Sequence, residues 1–304
     1  MSTAIADTIG LKIKPWKELT IRDNFMFQKV LRNKRLCKRF IEKTLQIKVK
    51  RIIYLETEKS IDEKYSSKSV RIDVFVETDS GEVIDIEMQA ADMLEGELPL
   101  RTRYYQSLID MATLAKGHTY MELKRSYIIF LCAFDPFGEG RKMYTFSNHC
   151  HESENLELGD GTAKIFLNAK GTIGTIDKEL DALLKYVAGA AAEGKLAQDF
   201  ASEVEKVRAH KETELEYMTF AAELMREKQI GYNQGVLDGE ARGEARGEAR
   251  GEARGKAKGE ANERLRSIRN LVENLKITIE QAMDALGIPT KERDKYTVML
   301  RQQA

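Results

Sequence analysis

The sequence predicts an α/β domain followed by a long helical extension, and three features carry that expectation. Periodicity changes along the first half of the chain in the order helix, three strands, helix, strand, which is the order of a sheet with helices on its faces. Two stretches, "RIDVFVE" and "VIDIEMQA", alternate apolar and polar residues at the period of two that a strand requires. From about Asp177 onward helical patterning dominates.

Taken in order, "LTIRDNFMFQKVLRNKRLCKRFIEKTLQ" reads as one long amphipathic helix, with Met26, Val30, Cys37, Phe40, Ile41 and Leu45 on one arc. Opposite them lie Arg32, Arg35, Arg39 and Lys43. "VKRIIYLET", "SVRIDVFVE" and "EVIDIEMQA" read as strands, a helix is expected from about Leu98 to Ala115, and "SYIIFLCAF" is a buried strand. On the second helix Leu100, Tyr104, Leu108 and Met111 form the expected apolar arc, opposite Arg103, Gln106 and Asp110. Short strands follow at "KMYTFSNH" and "AKIFLNAKG", the latter introduced by the turn pair Asp160-Gly161.

With 42% hydrophobic and 32% charged residues in 304, the chain falls among soluble globular proteins. Nowhere do eighteen apolar residues run together, so a membrane span is not expected. Three scattered cysteines form no disulfide framework, and a cytoplasmic setting is the default. Forty-nine basic residues balance 49 acidic ones, which excludes a global basic field. Local density is another matter: from Gln28 to Arg51 there are ten Lys or Arg and one acid, Glu42. Such a stripe can track phosphates, and a solvated helix face is the plain alternative.

The last third holds "GEARGEARGEARGEARGKAKGEAN", and eight glycines fall four apart from Gly231 to Gly259. As a helix, each repeat advances the pattern by about 40°, so Glu and Arg form stripes on nearly opposite faces. Every i,i+4 charged pair from Glu240 to Glu252, and from Arg242 to Arg254, is then like-signed. Interior glycines would cost an isolated helix on the order of 8 kcal/mol relative to alanine. Packing against a second copy would offset that cost, while a solvated spacer is the other reading. The divisions expected are 1–175, 176–230, 231–262 for the repeat, and 263–304 for a small helical module.

The chemistry concentrates in "RIDVFVETDSGEVIDIEMQ". With Asp79, Ser80 and Gly81 as the loop, Thr78 pairs with Glu82 and the register sets Asp73 across from Glu87. Ile72, Val74, Val76, Ile84, Ile86 and Met88 share one face; Arg71, Asp73, Asp85, Glu87 and Gln89 share the other. Carboxylates directly opposite on neighbouring strands, with Cβ atoms about 5 Å apart, repel each other. A divalent cation between them removes the repulsion, and Mg²⁺ takes one or two carboxylates plus water and phosphate oxygen. An exposed polar sheet face is the bland alternative. "NHCHE" offers His149, Cys150 and His151, but no second ligand pair follows and zinc is not expected.

"RIDV", followed fourteen residues after Asp73 by "IEMQ", resembles the core of PD-(D/E)XK nucleases in the form found in the Rpn family of recombination-promoting nucleases and transposases. The similarity extends to "RDNFMFQKVL", to the stretch from "RTRYYQSLID" to "FDPFGEGRKMYTF", and to "GDGTAKIFLNAKG", covering roughly residues 17 to 175. It implies a restriction-endonuclease-like core, a mixed central sheet flanked by helices, carrying a helical C-terminal extension. It also implies a Mg²⁺- or Mn²⁺-dependent DNA endonuclease, with Asp73 and Glu87 as the metal ligands. Gln89 stands where most of the superfamily has a catalytic lysine, and is expected to help place the attacking water. The missing charge would then come from Arg71 or Arg103. Asp23 joins the expected site, with an N-cap role as its alternative. Phosphate contacts fall to Arg32, Arg35, Arg39, Lys43 and Arg71, and a homodimer through the C-terminal repeat and helices is expected. A protein that keeps the fold but only binds nucleic acid or itself is the rival.

Overall fold

In the computed structural model the described residues are 13–54, 73–91 and 96–301. They form two compact units, one ending at Glu223 and the other beginning at Leu224.

The first unit opens with two helices where one was expected, α1 (Asn24–Leu31) and α2 (Lys34–Leu45). Asn33 makes the break. Its side-chain oxygen accepts the N–H groups of Arg35 at 3.1 Å and Leu36 at 3.4 Å, so it caps a new helix instead of continuing the old one. The strands β1 (Ile52–Tyr54), β2 (Val74–Thr78) and β3 (Val83–Gln89) follow, then α3 (Glu97–Thr113) and β4 (Ser126–Cys132). Next come β5 (Met143–Phe146), a small hairpin of β6 (His149–Cys150) and β7 (Ser153–Glu157), and β8 (Thr162–Asn168). The helices α4 (Lys178–Ala188) and α5 (Lys195–Ala209) then pack back on the sheet.

Six strands make a mixed sheet in the order β1-β2-β3-β4-β8-β5. β1, β2 and β3 form an antiparallel meander, β3, β4 and β8 are parallel, and β5 closes the far edge antiparallel to β8. Ile84, Ile86 and Met88 of β3 enter the main core with Phe27, Phe40, Leu183 and Phe200. The opposite face carries Phe75, Val83, Phe130 and Phe166, covered by Leu98, Tyr105 and Ile109 of α3. Both faces of β3 are therefore sealed, which is why its burial is continuous from Val83 to Met88.

The apolar arc expected on α3 is corrected by the structure. Leu100 and Met111 face outward, and Leu98, Thr102, Tyr105, Leu108 and Ile109 are the buried positions. Both arcs satisfy helical spacing. The sheet beneath selects the one that can stack Tyr105 on Phe130, with ring centroids 6.2 Å apart.

In the second part of the chain α6 (Lys211–Leu275) is a single 65-residue helix, so the glycine repeat is helical. At each of its eight glycines an added Cβ would meet nothing within 4 Å beyond the helix's own local backbone. Beyond it α7 (Ile279–Ala285) starts at Thr278, whose capping box with Gln281 satisfies both backbone N–H groups, and Gly287 with φ 64° ends that turn before α8 (Thr290–Arg301). Ala261, Leu265, Ile268, Ala282, Met283, Ile288 and Tyr296 form the core of this module. Among the described residues no helix is long and apolar enough to cross a membrane.

Candidate active site

The hairpin turn sets the site. Val74 pairs with Ile86 and Phe75 with Asp85, the register anticipated from the sequence, and Thr78 N–H bonds the Glu82 carbonyl at 2.9 Å. At the open end Asp73 comes to Glu87, and its backbone N–H donates to Glu87 Oε1 at 2.8 Å. Alternation then brings Asp85, Glu87 and Gln89 to the face under α3.

Asp73 and Glu87 are each held by named donors. Gln28 Nε2, from α1, donates to Asp73 Oδ1 at 2.7 Å, and the Met88 N–H donates to Asp73 Oδ2 at 3.0 Å. Arg101 Nη2, from the first turns of α3, reaches Glu87 Oε2 at 3.3 Å and Tyr105 Oη at 2.8 Å. Arg101 Nη1 donates to Gln89 Oε1 at 3.0 Å, while Gln89 Nε2 donates to the Ala91 carbonyl at 2.8 Å. Both ends of the Gln89 amide are thus engaged.

Asp85 differs from its neighbours. It is 0% exposed, and neither carboxyl oxygen meets an N–H or hydroxyl donor; its hydrogen-bonding neighbour is the Glu87 carboxyl. Burial, then the charge of Asp73, pushes its carboxyl well above the ordinary carboxylate range. Glu87, 3% exposed, is also pushed up, by burial and then by the charges of Asp85 and Asp73, with the Asp73 N–H and Arg101 opposing. Two acceptors side by side can share only a proton or a cation. An uncompensated buried carboxylate is costly, on the order of several kcal/mol, so a cation relieves the arrangement.

This donor set fits a hard divalent ion. Asp73 and Glu87 are neighbours through a backbone N–H, Asp85 is close enough for its carboxyl to respond to both, and all carry the carboxylate oxygens that Mg²⁺ and Mn²⁺ select. Among the described residues no group of three or more His, Cys, Asp or Glu side chains is placed to hold an ion, so the candidate ligands are the pair Asp73 and Glu87.

The remaining expected residues take several places in the fold. Asp23 precedes α1, yet its carboxylate caps nothing in that helix; it accepts from Lys14 at 2.8 Å and from Thr20 N–H at 2.8 Å. With Lys14, Arg22 and Ala90 it lines a cavity of about 570 Å³. Arg103 is exposed and lines a separate cleft of about 370 Å³ with Gln106, Phe146 and Lys164. Arg32 borders a cleft of about 280 Å³ beside Gln28, the residue that holds Asp73, and Arg35 is exposed. Arg39 pairs with Asp199 and, at 3.7 Å, with Glu179, and Lys43 pairs with Asp177 at 2.8 Å, tying α2 to α4 and α5. Arg71 lies outside the described residues.

Sequence reasoning set Asp85 on the polar face without giving it a role, and did not single out Arg101. Asp85 had a signal, since it alternates with Glu87 on a strand sealed on both faces. Arg101 had a weaker one, its i,i+4 spacing to Tyr105, and it was obscured by the alternative arc on α3.

A family model described as PD-(D/E)XK nuclease family transposase matches residues 23–232. No curated protein and no solved structure matches the chain.

Proposed function

The chain belongs to the PD-(D/E)XK nuclease family transposases, and on that premise we propose that it is a DNA endonuclease using Mg²⁺ or Mn²⁺ to hydrolyse phosphodiester bonds in recombination or mobile-element biology. The observation that carries the reading is the carboxylate trio on the hairpin: half-buried Asp73 and buried Glu87 joined at 2.8 Å through a backbone N–H, and buried Asp85 beside them without an N–H or hydroxyl donor. When bound, the ion supplies Lewis acidity toward a phosphate oxygen and an attacking water.

The chain's own residues do the rest. Asp73 and Glu87 are the ligands, and Asp85 adds negative charge behind them. Gln28 and the Met88 N–H orient Asp73, so little reorganisation remains when substrate arrives. Gln89, at the end of β3, borders the space for the attacking water. Arg32, in the cleft with Gln28, and exposed Arg35 take DNA phosphates, with Arg71 as a further expected contact; Arg39 and Lys43 continue that stripe from within their ion pairs. Asp23 and Arg103 border the flanking clefts. The repeat helix and C-terminal module bring two chains together in the cytoplasm, because a double-strand cut requires two sites.

A second reading, a DNA-binding or self-associating protein with little chemistry, is favoured by one observation. Gln89 replaces the motif lysine and both ends of its amide are occupied. Incubating plasmid DNA and Mg²⁺ with the wild type, Asp73→Ala and Glu87→Ala separates the two. Cleavage by the wild type alone supports the endonuclease. Equal nicking by all three marks a contaminant and contradicts it, and binding without cutting favours the second reading.

A further inference from the structure

Hydrolysis of a phosphodiester gathers negative charge on the phosphoryl oxygens, and here it would do so beside three carboxylates. One divalent ion leaves that balance negative, so the site calls for a second, fixed positive charge. Among the described residues the cation bonded to Glu87 is Arg101, 3.3 Å from Oε2, and its other terminal nitrogen lies 3.0 Å from Gln89 Oε1. We propose that Arg101 is that charge, placed against the scissile phosphate from α3 and held there by Gln89. The proposal rests on the endonuclease reading above.

The side chain is built for the task. Its guanidinium lies 5.3 Å from the centres of both the Tyr105 and Phe130 rings, and Tyr105 Oη accepts from Nη2 at 2.8 Å. Three of its N–H groups are used, by Gln89, Glu87 and Tyr105, which leaves two of the five for a phosphate oxygen. The side chain keeps 25% exposure, so one edge opens toward solvent and substrate. Gln89 acquires a positive role: its carbonyl oxygen fixes one prong of the guanidinium, and its Nε2, on the Ala91 carbonyl, fixes the amide.

Arginine stays protonated throughout, so it neither gives nor takes a proton. The water oxygen bonds to phosphorus, the bond to the leaving ribose oxygen breaks, and the proton released by the water reaches that oxygen through solvent. Arg101 acts on the charge of the transition state alone. This separates it from a purely structural partner of Glu87, whose loss would be felt in stability and not in turnover.

The test compares wild type, Arg101→Gln, Arg101→Lys, and Arg101→Gln combined with Gln89→Lys. The readouts are single-turnover cleavage of duplex DNA in Mn²⁺, DNA affinity in Ca²⁺, and melting temperature. Arg101→Gln is expected to slow the chemical step about 100-fold or more with DNA affinity within about twofold, as for loss of one transition-state donor. Gln89→Lys in that background returns a cation to the same place from the strand and is expected to restore about tenfold. Cleavage by Arg101→Gln within threefold of wild type overturns the proposal and leaves the endonuclease reading standing. A slow Arg101→Gln with no rescue by lysine also overturns it, in favour of a structural partner. Should Arg101→Gln not fold, Arg101→Lys decides: a loss of about tenfold supports the proposal, and an unchanged rate overturns it. No cleavage by the wild type means that the endonuclease reading itself fails and takes this proposal with it.

Discussion

Two stretches of this chain are dense in carboxylates and meet opposite fates. Along α6 the glutamates at 240, 244, 248 and 252 stand in water, with arginines on the far side of the helix. Like charges four residues apart cost only tenths of a kcal/mol there, because solvent screens them. On β3, Asp85 and Glu87 are sealed beneath α3, one of them with no N–H or hydroxyl donor. The same chemical group is nearly free of cost in the first place and expensive in the second. Such an arrangement is relieved by a proton shared between the two carboxyls or by a cation beside them.

The largest effect that would sharpen this contrast is on cleavage. Asp73→Ala or Glu87→Ala is expected to lower the single-turnover rate at least about a hundredfold, roughly 3 kcal/mol, whereas Glu244→Ala on α6 leaves it unchanged. Retained activity in the β3 variants would break the contrast outright.

Next comes stability without metal. Asp85→Asn replaces a buried carboxyl whose ionised form has no N–H or hydroxyl donor, and urea unfolding at a pH above the raised value is expected to show a gain of about 1–3 kcal/mol. The pH dependence follows with its sign. Asp85 and Glu87 have raised values in the folded protein, so the folded state binds protons that the unfolded chain has already released. Their contribution is present below the ordinary carboxylate range and is lost as pH rises through the raised values, so the metal-free protein weakens on going from pH 5 toward 8. Asp85→Asn should flatten that slope, and a wild-type stability that climbs with pH over this range would contradict the assignment.

The smallest effect belongs to α6. Alanine at Gly239, Gly243 or Gly247 meets no neighbour within 4 Å beyond the helix's own local backbone and is expected to strengthen the helix by about 0.5–1 kcal/mol per site. If a second chain packs on the glycine stripe, the same change weakens self-association, as sedimentation would show. Unchanged self-association would remove the stripe from the dimer contact.

Much of this was legible in the sequence because it depends on local rules. Alternation in "VIDIEMQA" and the three-residue turn at Asp79 to Gly81 were enough to set Asp73 against Glu87. The helix break at Asn33 was locally encoded too, yet it was hidden by apolar periodicity that runs straight across it. What could not be read was set by packing. Choosing between two arcs on α3 needs the aromatic surface of Phe130 and Phe166 beneath it, and Arg101 follows from that choice. The pairing of Arg39 and Lys43 with Asp199 and Asp177 likewise joins positions more than a hundred residues apart, and composition alone shows only a basic stripe.

Calorimetric titration of Mn²⁺ into the metal-free protein at pH 8, beside Glu87→Ala, tests the central claim most directly. One ion per chain, bound with proton release by the wild type and lost in the variant, is the predicted result. Equal binding by both proteins, or none by the wild type, would contradict it.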